Sequence, residues 1–74
     1  MSDKLLLTKV GGKIKELRTM KNMTQNELAT QCNFEKASMS RIESGQTNAT
    51  LITLLKICNA LNVDIAELFA DYKG

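Results

Sequence analysis

Apolar residues recur along this chain at intervals of three and four, the rhythm of helices buried on one face. Leu7, Val10, Ile14 and Leu17 set that rhythm first and predict a helix from Lys4 or Thr8 to Met20. Gly11 and Gly12 interrupt it. Each costs about 1 kcal/mol relative to alanine in a helix interior, so the pair marks either the true helix start or a close approach by another helix. Thr24-Gln25-Asn26-Glu27 has the form of a capping box, flanked by Met23 and Leu28 as a hydrophobic staple, and opens a second helix that runs to Gln31. Asn33 stands where a tight turn needs left-handed backbone, which Asn tolerates well. A third helix follows from Lys36 to Glu43 and stops at Ser44-Gly45. After a polar loop, Ser44 to Ala49, a fourth helix spans Thr50 to Leu61. Asp64-Ile65-Ala66-Glu67 forms a second box, stapled by Val63 and Leu68, and opens a fifth helix to Ala70. No segment alternates with period two for long, so the expectation is an all-α domain of five short helices.

Composition narrows what such a domain does. With 74 residues the chain reads as one domain, residues 1–74, with no room for a second that senses a ligand. A chain this short buries only about 60% of its unfolded surface, so it needs either near-ideal helix packing or a partner. The absence of His removes the imidazole base and the imidazole metal ligand. Cys32 and Cys58 form no CxxC pair, and both fall in apolar-periodic segments. Buried free thiols in a reducing compartment are therefore expected, rather than a disulfide, a metal site or a cofactor. There is no nucleophile–base set and no phosphate loop, so an enzyme is not expected. The Leu5–Leu7 run is too short for a signal peptide or a membrane span, which points to a soluble, cytoplasmic protein.

The net charge of +2 hides an asymmetry. Residues 1–41 carry eight bases against four acids, and residues 42–74 carry two against four. A basic front half and an acidic back half suit a polyanion-binding face opposite one that meets protein. Uneven solvated charge without a role is the other reading.

On a helical wheel turning about 100° per residue, Met39 and Ile42 point one way, and Lys36, Ala37, Ser40 and Arg41 cover the opposite arc. A cation, a methyl, a hydroxyl and a guanidinium suit the major groove, where Lys or Arg pairs with guanine and Ala meets a thymine methyl. A plain solvated face has a similar look, and the spacing around it is more specific. Ala29 is small where two helices must cross, Asn33 follows at the turn, and Met39 and Ile42 fill the underside of the next helix. That is the helix-turn-helix arrangement, over roughly residues 24–43.

Larger matching pieces surround it: Val10-Gly11, Ile14-Lys15-Glu16-Leu17-Arg18, Met23-Thr24-Gln25, Leu28-Ala29 and Met39-Ser40-Arg41-Ile42-Glu43-Ser44-Gly45. They continue through Thr50-Leu51, Leu54, Lys56-Ile57, Ala60-Leu61-Asn62-Val63 and Glu67-Leu68-Phe69. In order and spacing this stretch resembles the lambda-repressor-like, Xre-type helix-turn-helix family. The resemblance implies that Gln25 touches phosphate and props the recognition helix, with Thr24 offering its hydroxyl and backbone N–H to the same phosphate. It places Lys36, Ala37 and Arg41 at base-reading positions, with Ser40 a lesser one, and Ser44, Gln46, Thr47 and Asn48 in a loop against the DNA backbone. Arg18 and Glu43 match an ion pair tying the first helix to the third. Three residues depart from the family: Asn33 stands for Gly, Glu35 for a Ser or Thr cap, and Ala49 for Pro. The lost cap costs about 1 kcal/mol of helix stability, and the Glu carboxylate is able to accept from a cytosine amino group. These changes bear on which operator is read.

One helix face remains. Leu51, Leu54, Ile57, Cys58 and Leu61 form the inward stripe of the fourth helix, and Ile52 and Leu55 widen it to roughly 200°, beyond the ~100° that burial on one side needs. Either the Leu5–Leu7 segment or Phe69 and Tyr72 cover the excess, or Ile52 and Leu55 form a dimer interface. The expected function is a homodimeric, sequence-specific transcriptional regulator, such as a repressor, bound to double-stranded DNA at a palindromic operator. The alternative is an antitoxin that binds a toxin as well, because residues 48–57 resemble the corresponding region of HipB-type antitoxins. The residues do not separate these from controllers of restriction–modification systems or phage repressors.

Overall fold

The computed structural model describes residues 2–70, which form four α-helices and a short 3-10 helix. The helices are α1 (Asp3–Met20), α2 (Gln25–Gln31), α3 (Lys36–Glu43) and α4 (Leu51–Leu61), followed by the 3-10 helix Ile65–Phe69. No strand occurs among the described residues.

Side chains start three of the four α-helices. Ser2 Oγ accepts from the Leu5 N–H at 3.1 Å, which begins α1 ahead of both expected starts. Thr24 Oγ1 accepts from the Glu27 N–H at 3.0 Å while Glu27 Oε1 accepts from the Thr24 N–H at 2.8 Å, so the first capping box is complete. Thr50 Oγ1 caps α4 through the Thr53 N–H at 3.2 Å. Glu35 makes no side-chain cap at the start of α3, as its carboxylate in place of a hydroxyl implied.

All four helices end alike. Asn22, Asn33, Gly45 and Asn62 take left-handed backbone with φ of 55°, 60°, 76° and 57°. The next residue then bonds back across the turn: Met23 to Arg18, Phe34 to Ala29, Gln46 to Arg41 and Val63 to Cys58, at 2.8 to 3.1 Å. These are Schellman endings, in which the residue after the left-handed one tends to be apolar and to pack on the helix it closes. Met23, Phe34 and Val63 do pack on the core, whereas Gln46 is exposed.

The largest fully buried side chains are Ile14, Leu28, Met39, Ile57, Cys58 and Leu61, contributed by all four α-helices. Gly11 lies inside α1, not at its start, because α3 ends against it. A Cβ there would overlap the Ile42 carbonyl and lie 2.6 Å from that of Glu43, whereas Gly12 faces open space. Gly45 is constrained twice, by its positive φ and by Thr8 Cα, which would be 2.7 Å from an added Cβ.

Two expectations are corrected. The second capping box does not form: Asp64 makes no side-chain cap, because the Glu67 N–H it would need is taken by Asp64's own carbonyl at 3.0 Å. Bonds of that span wind the segment as 3-10 helix, so the fifth helix is a 3-10 turn. Leu51 is not on the buried stripe, being 64% exposed, although Ile57, Cys58 and Leu61 are buried. Its angle on the wheel matches that of Cys58, but the first turn of α4 extends past the end of the core.

The two adjacent glycines should respond in opposite ways. Gly11→Ala is expected to destabilise the domain by about 1–3 kcal/mol through overpacking against α3 backbone. Gly12→Ala should stabilise it by up to about 1 kcal/mol through helix propensity. Urea denaturation of the two variants checks both signs.

Candidate nucleic-acid interface

Ala29 of α2 is buried, and the turn between α2 and α3 passes through left-handed Asn33. Met39 and Ile42 are buried beneath α3, and Lys36, Ala37, Ser40 and Arg41 are all exposed on its outer arc. The four side chains expected to read bases therefore share one solvent face.

That face is held by an ionic network at the end of α3. Arg18 donates to Glu43 through Nε at 2.8 Å and Nη2 at 3.0 Å, both side chains being buried. Its Nη1 donates to the Met23 carbonyl at 2.7 Å, tying the same guanidinium to the segment before α2. Gln25 Nε2 donates to Glu43 Oε1 at 3.2 Å. No buried side-chain N or O among the described residues lacks a partner. The bidentate fork fixes orientation as well as distance, which a Lys in place of Arg18 would not do.

The phosphate-facing residues differ in what they still offer. The Thr24 N–H, expected to reach a phosphate, is already bound by the Glu27 carboxylate, and the Thr24 hydroxyl oxygen accepts from the Glu27 N–H. The Thr24 N–H, and then the Thr24 hydroxyl, hold the Glu27 carboxyl below its ordinary value. With the folded pKa depressed, this contribution to stability is present above the ordinary carboxylate range and is lost as pH falls through the folded value. Gln25 keeps one amide hydrogen free, since Glu43 takes only one. Ser44 Oγ donates to the Ser40 carbonyl at 2.9 Å and the Arg41 carbonyl at 3.2 Å, so its proton points back into α3. Gln46 and Asn48 are exposed and Thr47 is half-buried. A cleft of about 310 Å³ separates α3 from this loop, and Arg41, Ser38, Thr47 and Asn48 line it together. Ser38, which the wheel left unassigned, accepts from Arg41 Nη2 at 3.3 Å and so steers the guanidinium. The signal was its position three residues before Arg41.

Two contacts join the turn to α4. Lys56 Nζ lies 6.0 Å from the centre of the Phe34 ring, and Cys32 Sγ lies 3.7 Å from the Lys56 carbonyl. Cys32 and Cys58 are free and buried. Burial pushes both thiols up, opposed at Cys32 by Lys56 and reinforced at Cys58 by Glu67 and Asp64.

On α4, Ile52 is 68% and Leu55 40% exposed, and with Leu51 they make a continuous apolar strip. Leu6, Leu7 and Phe69 instead gather around Leu54 at an apolar cleft of about 160 Å³, and leave Ile52 and Leu55 uncovered. Tyr72, the other residue considered for that role, lies outside the described residues. Among the described residues no three Cys, Asp or Glu gather as a metal site, and no helix is long and apolar enough to cross a membrane.

The helix-turn-helix family HTH_3 matches residues 14–68. The control protein C.MunI of a Mycoplasma species is 37% identical over 62 residues, covering 82% of this chain and 84% of its own length. Among solved structures, the restriction–modification controller protein C.AhdI of Aeromonas hydrophila superposes with a TM-score of 0.83 at 36% identity, over 85% of this chain and 96% of that one. The controller protein C.Esp1396I, solved as a tetramer with its natural 35 base-pair operator, superposes with a TM-score of 0.79 at 36% identity, over 89% of this chain and 87% of that one.

Glu43→Ala should cost about 3–5 kcal/mol, because it leaves Arg18 buried without its counter-charge, and the loss is read as a lower urea midpoint. A thiol reagent at neutral pH should label Cys32 and Cys58 only as fast as the domain unfolds, since both are buried and protonated. Labelling at the rate of an exposed cysteine in native buffer would contradict that burial.

Proposed function

The chain belongs to the helix-turn-helix family HTH_3, and on that membership we propose that it is a sequence-specific transcriptional regulator that binds a palindromic DNA operator as a homodimer. The observation that carries this reading is the outer arc of α3, where Lys36, Ala37, Ser40 and Arg41 stand together on a helix anchored by the buried Arg18–Glu43 pair. A helix so anchored presents its donors to the major groove without first having to order itself. Arg41 and Lys36 pair with purine edges, Ala37 meets a thymine methyl, and Ser40 takes a further edge. Thr24, Gln25, Gln46, Thr47, Asn48 and the Ser44 segment lie against the flanking phosphates and set the register. The protein acts by binding rather than by catalysis, in the cytoplasm where its DNA lies.

Ile52 and Leu55, with Leu51 beside them, supply the dimer contact. Two-fold symmetry then sets two α3 helices about one DNA turn apart, roughly 34 Å. The regulated genes are read as those of a restriction–modification system, a reading supported by the likeness to the controller protein C.AhdI. A pair of such dimers on one operator is the arrangement that corresponds to the C.Esp1396I tetramer.

Selection from random duplex DNA, followed by binding titrations across salt, tests this reading. A palindromic consensus with a steep salt slope is expected, and equal affinity for all sequences would overturn it. Arg41→Ala should reduce discrimination at its base pair by about 1–3 kcal/mol, whereas Lys21→Gln should weaken all sequences alike. Ile52→Ser with Leu55→Ser should lower the oligomeric state by sedimentation while the helical spectrum is retained.

A further inference from the structure

A second cleft flanks α3 on the side away from the loop. Its volume is about 170 Å³, and its lining is Lys15 of α1, Gln25 of α2, and Ser40, Glu43 and Ser44 at the end of α3. Three consecutive helices thus converge on one small polar space beside the base-reading arc.

The cleft is rich in donors and poor in free acceptors. Glu43 is its one acid, and both its oxygens are occupied, Oε2 by Arg18 and Oε1 by Arg18 and Gln25. Arg18 also cancels its charge. The Ser44 hydroxyl points its proton at α3 carbonyls. The Lys15 ammonium and the second amide hydrogen of Gln25 have no protein partner among the described residues, and the Ser40 hydroxyl and the Gln25 amide oxygen stand beside them. Lys15 is exposed and forms no ion pair among the described residues, whereas Lys13 two positions earlier lies 3.7 Å from Glu16. A free cation and an amide N–H around a small open cleft match a phosphodiester monoanion, whose two unesterified oxygens accept from different sides.

We propose that Lys15 is a DNA-backbone residue, closing with Gln25 on a single phosphate at the α1 side of the recognition helix, beside the base-reading Ser40. The inference rests on the DNA-binding reading and adds to it a phosphate position and the helix that holds it. Arg41 and the loop lie against the opposite cleft, so α3 is bracketed by contacts on both sides, which sets its rotation in the groove as well as its depth.

The test uses the duplex recovered by the selection above. Lys15→Gln is compared with Lys9→Gln, an equal charge change that lies about 120° away around α1 and nearly two turns earlier. Lys15→Gln is expected to lower the salt slope by about 0.9 and the affinity roughly fivefold at 0.15 M salt, for specific and mixed-sequence DNA alike. Lys9→Gln should leave the slope unchanged, and Lys15→Arg should restore it. Neutral methylphosphonates placed at each phosphate in turn should then identify one position per half-site whose neutralisation weakens the wild type but not Lys15→Gln. If the wild type binds its operator while Lys15→Gln and Lys9→Gln behave alike, with no phosphate coupled to position 15, this inference falls and the DNA-binding reading stands. A wild type without affinity for DNA would overturn both.

Discussion

The carboxylate of Glu43 is buried at the end of α3, where an unpaired charge would be strongly destabilising. It is stable there because Arg18 meets it with a bidentate fork and Gln25 adds a third donor. That arrangement requires α1 to lie against α3 closely enough for a guanidinium to bridge them, and Gly11 permits it by presenting bare backbone to the Ile42 and Glu43 carbonyls. The same guanidinium also holds the Met23 carbonyl, so the entry to α2 is positioned by the group that positions α3. The helix-turn-helix is thus set from outside, by α1, rather than by α2 and α3 alone. An ion pair of this kind specifies geometry, and in a site that reads DNA geometry is what matters.

Around that anchor the chain follows local rules closely and departs from them at the DNA side. Three of the four Schellman endings close with an apolar residue packed on the core, and the fourth closes with exposed Gln46. Three helices begin with hydroxyl caps, but α3 begins at Glu35 without a side-chain cap. Both departures flank the recognition helix. A residue whose side chain is engaged with its own backbone is less available to a partner, and stability is conceded where function needs free groups.

Size shapes the rest. A domain with six fully buried large side chains has a modest core, yet Leu51, Ile52 and Leu55 stand exposed on α4. Self-association through that strip would bury them and add stability while fixing the separation of two recognition helices. Lys56, on the same helix, lies over Phe34 at the α2–α3 turn, so the exposed apolar strip and the helix-turn-helix share a packed element.

The limits of α3, the Thr24–Glu27 box, the left-handed Asn33 and the outward set Lys36, Ala37, Ser40 and Arg41 were all legible in the residue order. Each depends on interactions within about four positions, which helical period and capping chemistry encode directly. The Arg18–Glu43 pair was reached through family likeness, because its partners are 25 residues apart. Periodicity reports the angle of a side chain about its own helix axis and says nothing of where that axis ends against its neighbours. Leu51 therefore looked buried and is not, and Gly11 was ambiguous until α3 was seen lying on it. The Asp64 box failed because a carbonyl competed for the same N–H, a choice between two local bonds that composition does not rank. Only the packing of three helices against one another brought Lys15, Gln25 and Ser40 to a single cleft, since what they share is a point in space and not a spacing along the chain.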